Sequence, residues 1–75
     1  MNKAKLIEKA KKLAKEILYK SAEFDDQEER RIGLLAWELA SKMKTDYYYA
    51  DLKYDYEQIV KLGEKLNEMW ETPID

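Results

Sequence analysis

The sequence predicts an all-α fold, an antiparallel three-helix bundle, and three observations carry that expectation. Apolar residues recur at three- and four-residue spacings along three successive stretches. Helix-starting residues, Asp25 or Asp26 and then Thr45, stand between those stretches. The one strand-like run, the tyrosines at 47 to 49, has no second strand to pair with.

The first helix is expected over about 3–21. Leu6, Ile7, Ala10, Leu13, Ala14, Ile17 and Leu18 fall on one side, with Phe24 a heptad after Ile17, and lysines fill the other side. Asp25 followed by Glu28, or Asp26 followed by Glu29, reads as a capping acid with a glutamate three residues on. The second helix is therefore expected over about 26–44, with Ile32, Leu35, Ala36, Leu39, Ala40 and Met43 facing inward. Acids at its start and Lys42 and Lys44 at its end suit the helix dipole.

Thr45 as an N-cap gives a third helix over about 46–71 after a very short connection. Helical projection places Tyr48, Leu52, Tyr56, Ile59, Gly63, Leu66 and Trp70 on its inner stripe, widened by Tyr49 and Val60. Gly63 disfavours a helix interior by roughly 1 kcal/mol relative to Ala, which points to a close helix approach there. Pro73 forces Thr72 out of helical geometry and ends the element. The 75 residues make a single helical domain, 1–75, without repeats or linkers.

Charge is distributed unevenly. Residues 1–20 carry a formal +5, residues 21–44 carry −2 and residues 45–75 carry −5, within a net charge of −2. Helices one and three lying side by side would set these opposite flanks against each other. The alternative is that the lysine-rich first helix binds nucleic acid. Against it stand the absence of arginine from that helix and the net acidity of the chain. A membrane partner is not expected: the first helix has no aromatic on its apolar stripe before Phe24, and no stretch of residues 4–18 is apolar enough to span.

Composition argues against chemistry. There is no cysteine and no histidine, so the commonest zinc ligands and the commonest general base are missing. Ser41 to Lys44, SKMK, formally matches an acyl-transfer motif that needs partner motifs and a larger scaffold. The acids of DDQEE, residues 25–29, lack the alternation and turn glycine of a calcium loop. Asp51 and Asp55 stand one helical turn apart and are expected near a solvent-facing acidic side. No enzyme, no metal and no cofactor is expected, and a cytoplasmic location fits the missing cysteines and the lack of a targeting segment. Twelve lysines and ten glutamates against two asparagines and two glutamines fit a thermophile, a low-GC genome or a designed bundle equally.

What remains is the set of large residues expected on the outside. Leu34 and Trp37, flanked by Arg30 and Ser41, fall opposite the inner face of helix two. Tyr47 and Tyr54, with Asp51 and Asp55 beside them, fall on the outer face of helix three. Tryptophan, tyrosine and arginine concentrate binding energy at protein interfaces. The expected function is therefore protein binding, through Arg30, Leu34, Trp37, Tyr47, Asp51, Tyr54 and Asp55. The occupant is another protein, inhibited or modulated as small acidic proteins of mobile elements do, or a second copy in a homodimer. A minimal bundle without a natural partner is a third reading.

Overall fold

The computed structural model describes residues 2–46 and 48–71, with the side chains of Trp70 and Glu71 excepted. Three helices, α1 (Lys3–Ser21), α2 (Gln27–Lys42) and α3 (Tyr49–Glu71), pack pairwise against one another, and a 3-10 turn, Met43–Thr45, extends α2. The bundle is elongated, 45 × 16 × 15 Å, so the helices lie alongside one another over a single layer of side chains.

Cross-helix pairs fix the direction of each element. Gly33 of α2 lies against Ser21 and Leu18 of α1. Lys42 of α2 meets Asp55 of α3. Between α1 and α3, Lys9 stands over the Tyr56 ring, Ile17 meets Gly63 and Lys20 bonds Asn67, a nearly constant offset that parallel helices require. The chain therefore runs up, down and up, and the lysine-rich and acid-rich helices are neighbours. No helix among the described residues is long and apolar enough to cross a membrane.

The core is a ladder of small and branched residues: Leu6, Ala10, Ala14 and Ile17 from α1, Ile32, Ala36 and Ala40 from α2, Met43 from the turn, and Leu52, Ile59 and Leu66 from α3. Asn2 caps α1, its Oδ1 accepting from the Lys5 amide at 2.8 Å. Of the two capping acids the sequence offers for α2, Asp26 is the one used, accepting from the Glu28 amide at 2.9 Å. Asp26→Ala is expected to lower stability by about 1 kcal/mol. Asp25→Ala should stay within about 0.5 kcal/mol, both read as shifts of the urea midpoint.

Several expected boundaries and faces move. α2 ends at Lys42 because the chain tightens into the 3-10 turn, where the Thr45 hydroxyl donates to the Lys42 carbonyl at 2.8 Å. Thr45 thus closes one helix rather than opening the next. α3 begins at Tyr49, and the Tyr48 carbonyl accepts from the Asp51 and Leu52 amides at 3.1 and 3.3 Å. That later start takes Tyr48 off the helix, and its side chain is 65% exposed instead of buried. Tyr49 is exposed as well, and Tyr56 sits half-buried at the edge facing α1.

The buried stripe of α3 is accordingly Leu52, Asp55, Ile59 and Leu66, rotated toward α2 from the projected one. Leu35, expected inside, is exposed beside Leu62 and Lys65 at the α2–α3 edge, because the close α1–α2 approach at Gly33 turns α2 toward α1. Gly63 does mark a close approach, to Ile17. Tyr47, the side chain of Trp70, and the chain end at Thr72 and Pro73 lie outside the described residues.

Candidate protein-binding surface

The candidate contact residues separate into three places. Arg30, Leu34 and Trp37 occupy one row of α2, on the side next to α1. Asp51 and Tyr54 are exposed on the outer side of α3. Tyr47 is outside the described residues, and Asp55 is in the core.

Asp55 corrects the expectation that it belongs to a solvent-facing acidic side. It is only 2% exposed. The reason is the rotation of α3: positions 52, 55 and 59 share one face, so the carboxylate takes a place where a leucine would continue the stripe. Burial pushes its carboxyl above the usual carboxylate range. The Asp46 side chain adds to that shift, and the Lys42 ammonium opposes it.

The α2 row meets α1 in a groove of about 290 Å³ lined by Leu18, Ser21, Ala22, Arg30 and Leu34. Leu34 is 56% exposed on its wall. Trp37, one turn further along α2, is half-buried and packs against the core, so its ring supports the groove more than it projects from it. Arg30 has a structural duty besides its charge, since its Nε donates to the Phe24 carbonyl at 2.9 Å and ties the connection between α1 and α2 to the groove's lower end.

Tyr19 is the surface residue that sequence reasoning passes over. It is 63% exposed, beside Leu18 and one turn before Ala22, with the Lys15 ammonium 5.8 Å from its ring centroid. A large aromatic opposite the inner stripe of α1 was the available signal. At the other end of the α1–α2 seam, Lys11 and Lys44 bring two ammonium groups together, and Lys44 pulls the Lys11 pKa below its ordinary value. Lys11 precedes Leu18 by two helical turns on α1. The groove is mainly apolar with Arg30 in its lining, and the Lys11–Lys44 pair lies outside that lining.

No protein-family model matches the chain, and no curated protein or solved structure matches it either.

Proposed function

We propose that the chain is a non-catalytic protein-binding module whose α1–α2 groove receives an amphipathic helix carrying apolar anchors flanked by acids. The observation that carries this reading is Leu34, a large apolar side chain held 56% exposed on the wall of a groove whose lining also includes Leu18 and Ala22. Apolar helices dock into such grooves through side chains spaced three and four apart. Arg30 in the lining, and the Lys11–Lys44 pair further along α1, favour carboxylates on the incoming helix and disfavour a basic one.

A second copy could supply that chemistry. Residues 45–75 carry −5, and Tyr54 is exposed on α3 with Asp51 and Glu57 one turn to either side and Lys61 two turns on. Docking α3 of one copy on the α1–α2 groove of another would be a head-to-tail contact, which makes rings or filaments and not a closed two-fold pair. Sedimentation over a wide concentration range separates the two occupants.

The test uses a synthetic helix with leucines at helical spacing flanked by glutamates, titrated against the full chain and followed by amide chemical-shift changes. Changes should map to Leu18, Ala22 and Leu34, and Leu34→Asp should weaken binding at least tenfold while leaving helicity unchanged. Duplex DNA is the competing probe. Saturable, salt-sensitive binding of DNA that survives Leu34→Asp, with no response to the acidic helix, would move the assignment to the lysines of α1.

A further inference from the structure

The corner between α2 and α3 holds an acid pair that protein binding does not require. Asp55 lies in the buried stripe of α3 between Leu52 and Ile59, and its Oδ2 has no hydrogen-bond partner. The Oδ2 of Asp46, which follows the 3-10 turn, is likewise buried and unpartnered. The Asp46 side chain bears on Asp55 and raises its carboxyl above the usual range. On the other side, Lys42 Nζ stands 3.4 Å from Asp55 Oδ1. The Lys42 side chain is 57% exposed, so its charge stays largely hydrated and offsets the burial of only part of one carboxylate.

Two ionised carboxylates at this place would leave two buried acceptors facing each other with no donor between them. A single proton removes both defects, since a protonated carboxyl donates through one oxygen and still accepts through the other. We propose that Asp55 keeps a proton on Oδ2 and donates it to Asp46 Oδ2, and that this hydrogen bond is a pH-sensitive latch holding the corner, residues 43–46, against α3. The Lys42 contact to Oδ1 is compatible with that state, because Oδ1 remains the acceptor.

The groups bearing on Asp55 come from two elements, Lys42 from α2 and Asp46 from the corner. Lys44, also in the corner, is engaged with Lys11 of α1. The buried positions of α1 are Leu6, Ala10, Ala14, Ile17 and Ser21, none of them charged. Asp51, one turn before Asp55 on α3, is exposed. With the Asp55 pKa raised in the folded chain, the latch contributes fully below the ordinary carboxylate value near 4 and is lost as pH rises through the folded value. Its loss loosens the turn in which the Asp46 amide bonds the Met43 carbonyl, and the neighbouring first turn of α3, where the Leu52 amide bonds the Tyr48 carbonyl.

The test is a carbon-detected NMR titration of the aspartate carboxyls in the full chain, run with amide exchange from pH 4 to 8. Asp55 should titrate above the usual range. From about pH 4 up to that value the protection of the Asp46 and Leu52 amides should fall by up to about tenfold per pH unit, the slope for one proton, and level off above it. Asp55→Asn presents an amide that donates to Asp46 and a carbonyl that accepts from Lys42, so its corner protection should not depend on pH. Asp46→Asn supplies a donor to Asp55 and should move the Asp55 titration downward. Three results would overturn the latch. Asp55 could titrate as an ordinary carboxylate, or Asp55→Asn could keep the wild-type pH profile. Asp55→Asn could also lose protection equally at the corner and at Ala14 in mid-α1 at every pH, which would make the residue a plain structural acid.

Discussion

Gly33→Ala is expected to destabilise the fold by about 1–3 kcal/mol, the usual range for overpacking a tight contact. The expectation runs against helix propensity, which favours Ala over Gly by about 1 kcal/mol. Geometry decides the sign. A Cβ at position 33 would stand 1.9 Å from Ser21 Oγ, 2.8 Å from Ser21 Cβ and 3.1 Å from the Leu18 Cα. The hydroxyl can rotate only by giving up its 2.7 Å bond to the Leu18 carbonyl, and the other two atoms move only if α1 moves. α1 and α2 must then separate, which opens the core between Ala14 and Ala36. Urea midpoints measured by circular dichroism check the loss. Ser21→Gly in the same chain removes two of the three close atoms, so the double variant should recover most of it and the two effects should be strongly non-additive. Gly63 is the control. A Cβ there meets Ile17 Cδ1 at 3.1 Å, the far end of a flexible side chain, so Gly63→Ala should be near neutral or stabilising. A larger loss at Gly63 than at Gly33 would refute this account of the α1–α2 contact.

The contrast between the two glycines also shows what the sequence could and could not convey. Periodicity sufficed for three helices, their order and the inner residues of α1, because those depend on spacing along one chain segment. It drew attention to Gly63, which interrupts a long helix, and not to Gly33, which matters more. The facing small residues, Ala10, Ala14 and Ser21 on α1 against Gly33, Ala36 and Ala40 on α2, were the readable sign of close packing. The rotation of α3 was not readable, since it depends on how the helix is turned toward its two neighbours. Residues 43–45 form a 3-10 turn, α3 starts at 49 rather than 46, and the tyrosines at 48 and 49 leave the inner face while Asp55 enters it. A preference for burying tyrosine before aspartate points the projection the wrong way at this seam. For the candidate surface, Arg30 and Leu34 were legible on a single helix. Their partners Leu18 and Ala22 depend on how two helices are turned toward each other, and no one-helix projection contains that.

Ile59→Ala is expected to cost about 2–5 kcal/mol, because Ile59 is fully buried in the core and the loss includes the cavity left behind. A chain of this length has a total stability of about 4–11 kcal/mol at the usual 0.05–0.15 kcal/mol per residue, so one substitution removes a large share. Each kcal/mol should lower the thermal midpoint by about 4–8 °C. The decisive comparison is with tyrosines close by in the chain. Tyr54, exposed on the opposite side of α3, should tolerate alanine within about 0.5 kcal/mol. Tyr48 carries the sharper test, since the helical projection from residue 46 puts its ring in the core and the structure puts it in solvent. A buried ring would cost about 3–5 kcal/mol when cut to alanine. With the α3 start at Tyr49 and the Tyr48 carbonyl, not its ring, accepting from the first turn, Tyr48→Ala should fall with Tyr54→Ala and not with Ile59→Ala. A loss at Tyr48 comparable to that at Ile59 would extend α3 back through Tyr48 and bury its ring on the face that Leu52, Asp55 and Ile59 share.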